Sequence, residues 1–434
     1  MASSPVTNSH EQITPGQGHL PLSRVAAVGV GNALEFYDFL SFSFFALQIG
    51  HTFFPASQTS HGLLYALATF GVGFATRPLG GLILGAYGDR AGRKPAMMIS
   101  FALMGLAILG LALTPGYAQI GIAAPILLVI FRLIQGFALG GEVGPSTAFL
   151  IEAAPAHRRG LYVGLQMATQ DLAVLAAGIV GFLLSVLMSP EMLDAWGWRL
   201  AFLLGAAIVP IGLVIRNRLP ETFRITDAKD PPPEPKGRHV RVFVLGVLML
   251  GASTIAYYGI EYINTYAQDT LHLSVKLAFG ATIVLGLVMV VTDVLCGMMT
   301  DRVGRKPVMI AASVAVVLVI APAFALLNRF PSPPVIIAVT AALGVLSALI
   351  SGPALIAVTE SLPRHVRSGV LGPLYAIAMS AFGGTTQFVA KGLIEVTGNP
   401  LAPAFYITGA MIVGIAAMLL LRETAPVKAK MRRH

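Results

Sequence analysis

The stretch GAYGDRAGRKP at residues 85–95 returns as GMMTDRVGRKP at residues 297–307. Gly85, Asp89, Arg90, Gly92, Arg93, Lys94 and Pro95 match Gly297, Asp301, Arg302, Gly304, Arg305, Lys306 and Pro307. A second stretch behaves alike. EAAPAHRRG (152–160) returns as ESLPRHVRSG (360–369), pairing Glu152 with Glu360, Pro155 with Pro363 and Arg159 with Arg367 at nearly the same offset. Two separate motifs repeating at nearly one offset point to a duplicated half-chain rather than to chance. Each motif sits between long apolar runs, so the duplicated unit is a set of apolar segments joined by short charged loops.

Those apolar segments set the solvent. Of 434 residues, 56% are hydrophobic and 11% charged, where a soluble domain carries about 25% charge. A helix needs about 20 apolar residues to cross a bilayer. Twelve runs answer to that, at about 25–49, 62–86, 96–114, 119–147, 161–188, 198–215, 242–266, 277–299, 308–327, 334–357, 370–396 and 401–421. Their length and their glycines and prolines fit helices, since barrel strands would be about 10 residues long and alternate in polarity. The expected fold is all-α and integral to the membrane, with twelve transmembrane helices. The polar stretch RNRLPETFRITDAKDPPPEPKGRHVR at 216–241 has the prolines and mixed charge of a linker. It separates an N-terminal six-helix bundle (24–215) from a C-terminal one (242–421), with tails at 1–23 and 422–434. Halves repeated in the same order predict two bundles related by an axis along the membrane normal, with a solute site between them near the midplane.

A net charge of +9 could suggest nucleic acid, but its placement argues otherwise. Arg90, Arg93 and Lys94 follow the second run, Arg158 and Arg159 the fourth, Arg302, Arg305 and Lys306 the eighth, Arg364 and Arg367 the tenth. The 216–241 stretch and the C-terminal tail add more, while the opposite loops hold Lys276 and Arg329. This is the positive-inside pattern, so both termini are expected in the cytoplasm. Residues 1–23 contain no basic residue and no short apolar core with a cleavage site, and read as a disordered tail rather than a cleaved signal. Cys296 is the only cysteine, which excludes an internal disulfide and a cysteine cluster for zinc.

The paired G-x-x-x-D-R-x-G-R-K loops resemble the signature of the major facilitator superfamily, and RLIQG (132–136) is similar to its fourth-helix motif. GNALEFYDF, RPLGGLILGAYGDRAGRK, RLIQGFALGGEVG and WGWRLAFLLG narrow the resemblance to the metabolite:proton symporters, most like the bacterial citrate–proton symporters. It covers the first half well, and the second mainly through its D-R-x-G-R-K loop and span pattern. Asp171 in QMATQDLA and Glu261 in YYGIEYINTYAQ depart from the pattern, leaving the substrate open. The resemblance implies proton-coupled import of a di- or tricarboxylate such as citrate by alternating access, in the bacterial inner membrane. It further implies that Gly85, Asp89, Arg90, Gly92, Arg93, Lys94, Glu152 and Arg159, with Gly297, Asp301, Arg302, Gly304, Arg305, Lys306, Glu360 and Arg367, form a cytoplasmic gate latching the bundles. The alternative is charge that only sets topology. An osmolyte (betaine or proline) symporter is a rival, weighed down by the short tail RETAPVKAKMRRH. A monocarboxylate symporter and a transporter-like sensor also stay open.

An ionisable side chain at bilayer depth costs at least about 2.5 kcal/mol, which makes each one a functional candidate. Glu35, Asp38, Arg77, Arg132, Glu142, Asp171, Glu261, Asp293 and Lys391 qualify. Asp38 facing Arg132 would respond to a proton, because protonating the acid removes the attraction; the alternative is a static pair that fixes helix packing. The resemblance supports the first, since proton-coupled sugar porters of the superfamily carry an aspartate and an arginine at matching positions. Glu35, three residues before Asp38, shares its helix face and is either the proton acceptor or a partner for Arg77. Arg77 is the best ligand for a carboxylate, because a guanidinium binds one through two parallel bonds; otherwise it pairs with Asp38 or Glu142. Lys391 is a second cation or snorkels to the surface. Gln135, Gln166, Gln170 and Asp171 form a polar stripe that either binds solute or bonds helix to helix. Tyr257, Tyr258 and Glu261 would line the other wall, and Asp293, close to the loop end, reads as structural. No nucleotide loop, H-E-x-x-H or G-x-S-x-G is present, so neither ATP-driven transport nor an enzyme is expected. The fifth run lacks the G-P-x-x-G-G element of family antiporters, which counts against drug efflux. No cofactor is expected, the coupling ion being a proton. The expected partners are a small organic anion, the proton and the lipid bilayer, with no nucleic acid, and the chain is expected to be a monomer.

Overall fold

The computed structural model describes residues 33, 36–54, 59–91, 93–140, 147, 150–151, 154–217, 236–363 and 367–427. Glu35, Glu142, Glu152 and Gly92 lie outside the described residues, as do the tail 1–23 and most of the linker, and the side chains of Asp89, Arg93 and Lys94 lie outside the description. Secondary structure among the described residues is helical throughout. Among the described residues, seven helices are long and apolar enough to cross a membrane: His61–Tyr87, Ala156–Leu187, Val240–Asp269, Val275–Val303, Arg305–Arg329, Pro333–Ser361 and Ala402–Leu420. Two shorter apolar helices, Met98–Leu113 and Ala123–Leu139, join them.

The N-terminal half comprises helical residues 36–44 continuing into α1 (Ala46–Phe53), then α2 (Thr59–Ala75), α3 (Arg77–Ala91), α4 (Arg93–Leu113), α5 (Ala123–Leu139), α6 (Arg159–Leu187) and α7 (Trp198–Asn217). The C-terminal half comprises α8 (Lys236–Glu261), α9 (Ile263–Asp269), α10 (Val275–Val303), α11 (Arg305–Arg329), α12 (Pro333–Ser361), α13 (Arg367–Ala378), α14 (Gly384–Thr397) and α15 (Ala402–Leu420). Start and stop signals explain several ends. Ser274 caps α10 by accepting from the Leu277 amide at 3.4 Å. Gly304 stops it at φ +112°, a conformation other residues rarely adopt, and α11 starts at once behind the turn. Pro333 and Pro334 open α12, where the missing N–H costs nothing.

The halves meet along two seams of small residues. A Cβ on Gly160 of α6 would stand 2.4 Å from the Gly297 carbonyl oxygen of α10, so the backbones touch only because both residues are glycine. A Cβ on Gly71 of α2 would stand 2.5 Å from the carbonyl oxygen of Gly384 at the start of α14. Between α2 and α3 the ladder breaks at Thr76, and Pro78 offers no N–H to the Phe74 carbonyl. Ser380, in the wide turn Met379–Gly383 of the other half, donates its hydroxyl to that carbonyl at 2.6 Å. The break thereby creates a bond across the seam. A second break at Tyr262 separates α8 from α9 directly after Glu261.

At the bundle end opposite the D-R-x-G-R-K loops, Ser43 donates to Gln387 (2.8 Å), Gln48 donates to Gln268 (3.3 Å), and Phe45 packs on Phe279 with ring centroids 4.9 Å apart. His51, beyond the first apolar run, contacts Asp194 at 2.9 Å, and that carboxylate raises the imidazole pKa against a weaker opposing effect of burial. A raised folded-state pKa contributes stability fully below the unfolded value of about 6.5 and loses it as pH climbs through the folded value. Both side chains are roughly two-fifths exposed, so the pair is worth at most about 1 kcal/mol. His51→Gln is therefore expected to lower the melting temperature slightly at mildly acid pH and to match the unsubstituted protein at alkaline pH, as thermal unfolding at a series of pH values would show.

Candidate functional site

Asp38, Gln135 and Arg132 form a buried relay. Arg132 and Gln135, three residues apart, share a face of α5. Arg132 Nη1 donates to Gln135 Oε1 at 2.8 Å, and Gln135 Nε2 donates to Asp38 Oδ2 at 2.5 Å. The expected direct pair between Asp38 and Arg132 is thus replaced by a carboxamide standing between them. Of the two roles open to Gln135, solute binding and bonding between helices, its described contacts are of the second kind. Asp38 and Arg132 are 1% and 0% exposed. The guanidinium carbon of Arg132 lies 4.6 Å from the Phe39 ring centroid, 4.3 Å from Phe42 and 5.3 Å from Phe70, so aromatic faces replace much of its water.

Arg77 occupies the first position of α3, behind the Thr76 break, and is buried. Its guanidinium carbon lies 4.1 Å from the Phe74 centroid and 4.6 Å from that of Phe39, which it shares with Arg132. It is within electrostatic reach of the Tyr258 and Tyr375 hydroxyls.

A cavity of about 50 Å³ lies between the halves, lined among others by Gln170, Asp171, Tyr257, Tyr258, Asp293 and Tyr375. It holds a few waters at most, and an organic acid requires the walls to part. Tyr257 donates to Asp171 Oδ1 at 2.7 Å across the seam. Gln166 lies off this lining and exchanges bonds with Thr147 at 3.0 and 3.2 Å. Glu261 also lies off it, with both carboxyl oxygens buried and without a hydrogen-bond partner among the described residues. Lys391 is far from the role of a central cation. It donates to Asp269 at 2.7 Å and lies 3.5 Å from Glu395, which also meets His61 of the other half at 3.5 Å. Asp293, read as structural because it lies only eight residues, about 12 Å of rise, from Asp301, lines the cavity. The sequence does not single out Tyr375, because one tyrosine in an apolar run carries no pattern.

At the loop end, Asp301 accepts from the backbone amides of Gly160 (2.8 Å) and Leu161 (3.0 Å), so a carboxylate of the second half caps a helix of the first. Arg305 donates to Asp301 at 2.9 Å and to both Glu360 oxygens at 3.4 Å, and Arg159 lies 3.6 Å from Glu360. Glu423 accepts from the amides of Arg305 (3.1 Å) and Lys306 (3.0 Å), fixing the turn. The Lys306 ammonium closes onto the carbonyls of Leu419 and Leu421. Arg367 donates to the carbonyls of Thr359 and Leu362 within its own half. Arg90 and Arg302 point outward, and Gly85 has open space around it.

A profile of the Major Facilitator Superfamily matches residues 30–295. The chain is 32% identical to a citrate-proton symporter of Salmonella typhi, over 92% of this chain and 93% of that one. It is 31% identical to a glycine betaine/proline/ectoine/pipecolic acid transporter of Dickeya dadantii, over 92% of this chain and 83% of that one. Among solved structures, the crystal structure of a D-xylose-proton symporter superposes with a TM-score of 0.74 at 21% identity, covering 93% of this chain and 98% of that one, a likeness of fold. The chain belongs to the Major Facilitator Superfamily. It is a multi-pass transporter of the bacterial inner membrane and not an enzyme.

Proposed function

We propose that this transporter imports a di- or tricarboxylate together with protons. Twelve spans in two six-helix bundles, with both termini in the cytoplasm, would rock around the central cavity. The observation that carries proton coupling is the buried Asp38–Gln135–Arg132 relay. When Asp38 takes a proton, it no longer presents a charged acceptor to Gln135, and the amide and guanidinium must seek other partners. Glu35, outside the described residues, remains a second candidate for that proton. The likeness to a citrate-proton symporter and the placement of Arg77 beside the cavity wall support an anionic solute.

A second reading has its own observation. The described cavity lining holds Asp171, Asp293 and three tyrosines and no basic side chain, a surface suited to a quaternary ammonium. The Dickeya relative supports that osmolyte reading. Proteoliposomes supplied with citrate, other carboxylates or glycine betaine, with and without an inward proton gradient, separate the two. Accumulation of citrate only under the gradient is expected. Betaine accumulation with inert carboxylates would move the assignment to osmolytes, and no flux of any of them would leave a sensor. Arg77→Ala is expected to raise the KM for citrate about tenfold or more, the worth of a charge-assisted bond. An unchanged KM would remove Arg77 as a ligand.

A further inference from the structure

Asp171 of α6 and Asp293 of α10 belong to opposite halves and line the same cavity, 3% and 2% exposed. Two buried acids at one cavity with no basic side chain in its described lining disfavour double ionisation, so one of them carries a proton. Asp171 accepts from the Tyr257 hydroxyl at 2.7 Å, whereas Asp293 Oδ2 has no partner among the described residues. The better hydrogen-bonded carboxylate is therefore Asp171, and the proton belongs on Asp293. A separate observation marks the same place as built for a small polar visitor. Tyr258, 0% exposed, lines the cavity with its hydroxyl unpartnered among the described residues.

The groups facing the pair do not supply the missing positive charge. From α8 come Tyr257, Tyr258 and Glu261, from α13 Tyr375, and from α10 itself Cys296. The neighbouring stretch of α12 presents Ser351 and apolar side chains. Arg77 acts on the wall formed by Tyr258 and Tyr375, and the loop-end basic groups Arg305 and Arg159 are engaged by Asp301 and Glu360. With Glu261 adding a further acid, a proton is the cheapest neutraliser available. No group of three or more acid, histidine or cysteine side chains able to hold a metal ion occurs among the described residues.

We propose that Asp171 and Asp293 form a second proton site, which binds one shared proton when the two halves close along α6 and α10 and releases it when they part. On closing, one O–H bond forms on the Asp293 carboxyl at the expense of a hydronium. On opening, each acid gains water, that O–H bond breaks, and the proton returns to solvent. The site adds to the Asp38 relay and rests on the transport reading only for its link to solute movement.

Infrared spectroscopy of the purified full chain tests the proton itself, without any solute. At about pH 8, where exposed carboxyls are ionised, the unsubstituted protein should keep a carboxylic acid C=O band. Asp293→Asn and Asp171→Asn should each lose that band, while Asp38→Asn keeps it. Either asparagine can donate to the remaining carboxylate, so the seam holds, and the two variants check each other. A band that survives in both variants, or no such band in the unsubstituted protein, overturns the proposal. Loss of the band in both variants while citrate and betaine stay unmoved by the unsubstituted protein would sink the transport reading and leave the shared proton standing. Where citrate is moved, Asp293→Asn should lower the proton-to-citrate ratio from reversal potentials by one, and an unchanged ratio contradicts the coupling role.

Discussion

Asp38→Asn abolishes accumulation of solute above its equilibrium distribution and leaves exchange of internal for external solute running. Asparagine keeps the shape of aspartate and an oxygen to accept from Gln135, so the chain Asp38–Gln135–Arg132 retains its geometry. What it loses is the ability to alternate between charged and neutral forms. The relay is locked in its neutral version, Arg132 keeps its aromatic surroundings, and no proton is taken up or given back at this point. Counterflow in proteoliposomes measures exchange, and uptake under an imposed proton gradient measures accumulation. Full concentrative uptake by the variant would remove Asp38 from coupling and leave the relay as packing.

Asp301→Ala opens the seam between α6 and α10 at the loop end. It strips the cap from the Gly160 and Leu161 amides and leaves Arg305, fully buried, with only the long contacts to Glu360. Removing one member of a buried pair costs about 3–5 kcal/mol, which at 1.4 kcal/mol per tenfold favours the parted state at least about a hundredfold. Cys296, the only cysteine, is buried beside Gly160 and Gly164 in that seam. Its alkylation by a maleimide reports the parted population. The rate is expected to rise about a hundredfold in Asp301→Ala and by less in Asp301→Asn, which keeps one acceptor. An unchanged rate would reduce the loop to a determinant of topology.

The repeated D-R-x-G-R-K loops and the apolar runs made the helical membrane architecture legible, because both depend on patterns within one segment. The same is true of which residues were costly enough to notice: Asp38, Arg77, Arg132, Asp171 and Glu261 are all buried. What the sequence could not carry was which helix each side chain meets. The spacing of Gln135, Gln166 and Gln170 leaves solute binding and helix-to-helix bonding open, and only packing sets Gln135 between Asp38 and Arg132. Lys391 reads as a second cation or as a side chain reaching for the surface, and the structure pairs it with Asp269 and Glu395. Depth along its own helix puts Asp293 toward the loop end, whereas the packing of α6 on α10 sets it in one cavity lining with Asp171. Each of these follows from packing between segments distant in the chain, which no local periodicity encodes.

Proton coupling is read out by a pH-sensitive dye inside proteoliposomes. With citrate added outside at equal pH on both sides, citrate entry is predicted to acidify the interior, and to do so no longer when Asp38 is replaced by asparagine. Citrate entering at the same rate with no change in internal pH would mean that its transport is not coupled to protons.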